Sequence, residues 1–236
     1  MTSLASANRA IDTGAIVSTE DQARADIYAL IAALLLHAPQ PALLAAIAVA
    51  PAMDDGPDDT ASLAPAWNGL TRAAARIDAA AVAAEFDALF ISVGTPSVSP
   101  HASRYLVGFL MEKPLAALRD DLAALGLARA AGQRELEDHL GALCEVMRLL
   151  IAGTARMPGR SLQTQRSFFL RHLAPWYGRC LDDLRQAGGT PFYRCVADLA
   201  QAFFEVEFQA FEMEDDWLDA DDAFNPSCTF MPRRDI

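Results

Sequence analysis

Apolar side chains recur in this chain at three- and four-residue spacing, broken by proline and glycine and nowhere replaced by sustained alternation. That pattern admits helices and gives strands little support, since β-branched residues are also sparse. The chain reads as a single globular all-α domain of about ten helices. A first helix starts at Ser18, with Thr19 able to cap and Gln22 able to reach back, and Ile27, Ile31, Leu34 and Ala38 mark its face before Pro39-Gln40-Pro41. A short helix through Leu43, Leu44 and Ile47 follows. Trp67 to Ile91 reads as one helix, with Val82, Phe86, Leu89 and Phe90 at helical spacing, and it stops in the loop Ser92 to Pro100. Further helices are predicted over about 102–110 and 114–125, the latter closed by Gly126. Another carries Leu136, Leu140, Leu143, Met147, Leu150 and Ile151, and two more run over about 162–173 and 175–187. A long last helix begins at Pro191.

Residues 1–18 read as a flexible N-terminus, 19–212 as the helical domain with a polar loop at 51–65, and 213–236 as an acidic irregular tail. With 236 residues, 53% of them hydrophobic, the chain can build a sizeable core. A formal charge of −12 argues against nucleic acid, whose binding draws on clustered Lys and Arg. It favours a cationic or amphipathic partner. Cys144, Cys180, Cys195 and Cys228 form no C-x-x-C pair and read as reduced thiols. The apolar run 27–38 follows acidic Glu20, Asp21 and Asp26 and falls short of the ~20 residues that span a bilayer, so a cytoplasmic protein is expected.

No side-chain constellation announces catalysis. There is no G-x-S-x-G, no H-E-x-x-H, no paired Glu-x-x-His and no glycine-rich phosphate loop, so neither an enzyme nor a resident cofactor or metal is expected. His37, His101, His139 and His172 are dispersed. On spacing alone, Asp138 and His139 are a helix start with an acidic first turn. Phe86, Phe90, Tyr105, Phe109, Phe203 and Phe204 fit a core better than a groove, although the loop 92–100 between two apolar helices can leave a peptide-sized cleft. Nine acidic residues and no Lys or Arg lie between Glu205 and Asp222, a solvated end or a docking strip for a basic segment.

Several strings taken in order resemble the TorD/DmsD family of chaperones that mature molybdenum redox enzymes. They are Glu85-Phe86-Asp87-Ala88-Leu89-Phe90, Pro100-His101-Ala102-Ser103-Arg104-Tyr105-Leu106, Met111-Glu112-Lys113-Pro114-Leu115 and Glu135-Leu136-Glu137-Asp138-His139-Leu140. The stretches 168–176 and 191–193 look similar as well. The sequence departs from the family at Leu136, often Pro, and at His101, often Tyr or Trp.

The resemblance implies a TorD-like helical fold and a cytoplasmic chaperone, monomer or homodimer. Its partner would be the immature catalytic subunit of a molybdopterin oxidoreductase, such as a formate dehydrogenase or a DMSO/TMAO-type reductase. The client, or its twin-arginine signal peptide, would be held until cofactor insertion. Carried over residue by residue, the implied client surface is Phe86, Leu89, Phe90, Pro100, Ser103, Tyr105, Asp138 and His139. Asp138 would receive an arginine and neutral His139 a peptide backbone group. His139→Ala is then expected to weaken binding and spare the fold. The alternatives are a chaperone that binds only the mature part of its client, a helical metalloenzyme, and a scaffold acting through the acidic tail.

Overall fold

The computed structural model describes residues 17–54, 63–91, 96–129, 135–155 and 157–223. In chain order the helices are α1 (Thr19–Leu36), α2 (Pro41–Ala48), α3 (Leu63–Ala74), α4 (Ala79–Phe86), α5 (Ala102–Val107), α6 (Lys113–Ala124), α7 (Leu140–Ala152), α8 (Leu162–His172), α9 (Tyr177–Gln186) and α10 (Pro191–Ala223). One π turn, Asp87–Ile91, continues α4. No strand occurs among the described residues, which bears out the all-α reading.

Local chemistry explains where the observed boundaries depart from the predicted ones. α1 is capped by Ser18, whose side chain accepts from the Asp21 amide at 3.0 Å, and not by Thr19. The helix predicted over 67–91 is two helices, because Asp78 adopts an extended conformation and accepts from the Ala81 amide at 2.8 Å, starting α4 afresh. α3 begins at Leu63, inside the polar loop predicted over 51–65. α10 runs to Ala223, past residue 212 where the helical domain was predicted to end. Buried Phe203, Phe204 and Phe211 tie α10 down, and like-charge pairs on a helix surface cost only ~0.2–0.5 kcal/mol each. The predicted flexible start and irregular tail fall, over residues 1–16 and 224–236, outside the described residues, as do residues 92–95 of the loop 92–100.

The chain divides into two compact units: residues 1–38 with 99–177, and residues 39–98 with 178–236. Each unit is assembled from two separated segments, and the chain crosses between them at Pro39-Gln40-Pro41, in the Gly-, Ser- and Pro-containing stretch 92–100, and after Tyr177. In the first unit α1 packs along α7, α5 against α6, and α7 against α8. Tyr28, Ile31, Leu34, Leu143, Cys144, Met147 and Leu150 are buried there. The close approach of α1 and α7 depends on Gly141, where a Cβ would come within 2.8 Å of Leu36 Cγ and 3.3 Å of the Ala32 carbonyl oxygen. In the second unit α10 packs on α3 and α4, and α2 on α3, around Leu70, Val82, Val196, Leu199 and Phe203. No helix among the described residues is long and apolar enough to cross a membrane.

Candidate functional site

Two short backbone stretches bring the starts of α5 and α7 together in the first unit. His101 and His139 form an isolated antiparallel bridge: the Ala102 amide donates to the Asp138 carbonyl at 2.9 Å, and the Leu140 amide to the Pro100 carbonyl at 2.8 Å. Each histidine is the residue before its helix, but only one caps with its side chain. His139 Nδ1 accepts from the Gly141 amide at 3.0 Å, whereas His101 makes no such bond to α5. The missing cap on α5 comes from Asp138. Its Oδ2 accepts from the Ser103 amide at 2.9 Å and from Ser103 Oγ at 2.6 Å. The Asp138-His139 pair therefore serves two helices at once, one residue for each.

Electrostatics follow from burial. Asp138 and Ser103 are fully buried and His139 is 3% exposed. Desolvation pushes the His139 pKa down to about 3, helped by the proximity of His101 and His37. The ring is neutral at physiological pH, and since Nδ1 accepts a bond, its proton sits on Nε2. His101 packs edge-on against it, ring centroids 5.0 Å apart, and its pKa is also lowered by burial, against the pull of Asp138 and Glu135. Asp138 Oδ1 is buried and accepts no hydrogen bond. Beside it lies a hollow of about 180 Å³ walled by Ala102, Leu106, Pro114, Leu118 and Leu143, with Arg171 and His172 at its polar side. His172 Nε2 lies 2.7 Å from Asp121 Oδ2, and Arg171 pairs with the same carboxylate at 3.2 Å.

The structure sorts the eight residues predicted for the client surface into two sets. Pro100, Ser103, Tyr105, Asp138 and His139 belong to the first unit; all are buried except Tyr105, which is half-buried and stacked on Trp176 at 5.6 Å. Phe86, Leu89 and Phe90 belong to the second unit. Phe86 and Phe90 form an aromatic cluster with Tyr193 there, at centroid distances of 5.0 to 6.1 Å, and Leu89 is buried. The residue that sequence reasoning passed over in that string is Glu85. Its carboxylate is buried, its pKa is raised by desolvation, and Oε2 accepts from the Phe192 and Tyr193 amides at 3.0 and 3.2 Å, capping α10. No local signal marks that role, because its partners lie 107 and 108 residues away.

A second overlooked feature is the run 106–111, whose Leu106, Val107, Phe109, Leu110 and Met111 are all exposed. The sequence did carry a signal here: five apolar residues in six positions, divided by Gly108, cannot all face one core. Among the described residues no group of three or more His, Cys, Asp or Glu is placed to hold a metal ion.

A family model for the nitrate reductase delta subunit matches residues 57–182, more than half of the chain. The chain belongs to the nitrate reductase delta subunit family. This TorD-like family consists of maturation chaperones for molybdenum redox enzymes, and the matched range takes in the Asp138-His139 cap and the run 106–111. No curated protein sequence matches the chain. Among solved structures, one described as a redox enzyme maturation protein from Archaeoglobus fulgidus is similar at 14% identity. That likeness covers 75% of this chain and 91% of the other, with a TM-score of 0.49.

Proposed function

We propose that this member of the nitrate reductase delta subunit family is a cytoplasmic chaperone that binds the immature catalytic subunit of a molybdopterin oxidoreductase and holds it for cofactor insertion before assembly or export. The observation that carries the reading is the family match across residues 57–182. The absence of a catalytic constellation around Asp138 and His139 is compatible with it, since both residues are occupied as helix caps. The family's description adds a nitrate reductase to the client classes, beside formate dehydrogenases and DMSO/TMAO-type reductases.

Burial favours one form of this reading over another. A twin-arginine leader read by Asp138 needs a carboxylate within reach of solvent, and this one is fully buried with Oδ2 committed to Ser103. Binding through the mature part of the client, or through an apolar stretch alone, asks nothing of Asp138. The test is co-expression with the cofactor-free catalytic subunit, with the complex followed by size-exclusion chromatography before and after cofactor loading. A complex with the apo subunit that dissociates on loading is the expected outcome. No complex with the apo subunit defeats the chaperone reading. Titration with a twin-arginine leader and its Lys-Lys version then assigns the segment: heat with the first and not the second identifies a reader of the paired arginines, equal heat with both a reader of the leader's apolar run, and none with either a reader of the mature body.

A further inference from the structure

Eleven large apolar side chains are exposed among the described residues, and five of them fall within the single span Leu106 to Met111. The other six are scattered, as on any protein surface. Phe109 and Met111 are each 71% exposed. Clustered exposure of this kind marks interaction sites. The span is also held in a defined shape. Gly108 takes the left-handed conformation with φ 91°, and its carbonyl accepts from Arg104 Nη1 at 2.6 Å. Met111 takes φ 60°, in the left-handed region that side-chain-bearing residues rarely adopt. A strained turn is thus kept although it buries none of these five side chains. Leu106 and Pro114, at its two ends, also wall the hollow of about 180 Å³, so the apolar surface continues inward past Leu118 and Leu143.

Charge selects the occupant. The first unit carries 12 of the 19 Lys and Arg and 11 of the 31 Asp and Glu, a formal +1, while the second carries the remaining 7 and 20, a formal −13. Arg104 is bonded to the span's own Gly108, Glu112 and Lys113 follow the span and offset each other, and in the adjoining hollow Arg171 is paired with Asp121 while the Asp138 carboxylate is committed to Ser103. Such a balanced surround offers a cationic segment little; an apolar one without cations fits it. We propose that Leu106 to Met111 is the docking surface for an apolar, uncharged segment of the client, bound without regard to any paired arginines. The proposal rests on the chaperone reading above and specifies which surface acts in it.

The probe is a synthetic peptide with a central run of Leu and Ala and Ser-rich ends, made with Arg-Arg or with Gln-Gln before the run, and titrated calorimetrically into the full chain. Both versions are expected to bind alike, within about twofold, because charge contributes little there. Phe109→Asp and Met111→Asp are each expected to weaken both by at least about tenfold, the first with an unchanged melting temperature since Phe109 faces solvent, the second with no fall in it since Asp tolerates the left-handed backbone better than Met. Phe109→Ser gives the same reading without an added charge. Ile91→Asp, a matched change at an exposed residue of the second unit, should leave binding unaltered. Three results overturn the proposal: no binding by the wild type, undiminished binding by the Phe109 variants, or binding that requires Arg-Arg. Failure of the chaperone reading itself shows separately, as the absence of a complex between the wild-type chain and the apo subunit.

Discussion

Asp138 and His139 are neighbours that do different work, and the difference lies in which helix each one serves. The Asp138 carboxylate holds two buried donors of Ser103, so removing it strands both, whereas His139 closes the first turn of its own helix. An alanine at 139 therefore removes a cap worth ~1 kcal/mol and opens space beside His101, so a loss of stability should accompany any loss of client binding in His139→Ala. The ring's titration gives a cleaner test. The unfolded chain takes up a proton near pH 6.5 that the folded chain refuses until about pH 3. The stability associated with the neutral ring is complete above pH 6.5 and falls as pH drops through that window, by up to about 1.4 kcal/mol per pH unit for one proton. His101 and His172, both lowered by burial, add to the same slope. In His139→Gln the amide oxygen still accepts from Gly141 but nothing titrates. Urea melts between pH 7 and pH 5 should show a slope shallower by about one proton than in the wild type. Identical slopes would mean that His139 takes up its proton as readily in the folded chain as in the unfolded one. Capping was legible from the place of Asp138 beside a helix start, although it precedes the N-cap His139 and is not in the first turn of α7; that it caps a helix 35 residues earlier in the chain was not, because only the bridge between His101 and His139 brings the two starts together.

Among the helices, two glycines predict opposite outcomes for one substitution. Gly69 lies within α3 with nothing within 4 Å of where a Cβ would stand, while Gly141 lies in α7 against Leu36 and Ala32 of α1. Gly69→Ala should stabilise by ~1 kcal/mol through helix propensity, a gain of about 2–4 °C in a chain of this size. Gly141→Ala gains the same propensity but forces α1 and α7 apart, and overpacking costs ~1–3 kcal/mol, so its melting temperature should fall. Thermal melts of the two variants check the pair, and a rise in both would show that α1 and α7 are not packed as described. Periodicity made the helical segments legible, since each of the ten helices falls on an apolar repeat read from sequence, with α3 and α4 read as one. What it could not show was the break at Asp78, where a side chain that reads as one more polar position on a long helix face turns inward to cap α4. Nor could it show Glu85, whose value to α10 depends on a contact made across most of the second unit's sequence.

Across the whole molecule, the net charge of −12 was plain from composition, but its distribution was not, because the two units interleave in sequence and neither is a continuous stretch. Once they are separated, almost all of the excess lies in the second, at a formal −13 against +1. The net acidity that favours a cationic partner is therefore absent from the first unit, where the Asp138-His139 cap and the exposed span 106–111 both lie. In the second unit the same charge opposes folding, since like charges are held closer in the compact state than in the unfolded chain. The exposed carboxylate of Glu212 and the partly exposed one of Glu205 lie in the acidic run on α10. Salt screens such repulsion, the Debye length falling from about 10 Å at 0.1 M to about 3 Å at 1 M. The melting temperature should therefore rise with sodium chloride. The doubly neutralised variant Glu205→Gln, Glu212→Gln should start higher at low salt, by about 2–4 °C if the change is worth ~1 kcal/mol, and gain less from added salt. Comparing the two proteins over one salt series removes the general effect of salt on apolar surface, which both share. A variant that melts with the wild type at every concentration would show that the acidic run is already relieved by counter-ions, and that the second unit's charge is free to act on a partner.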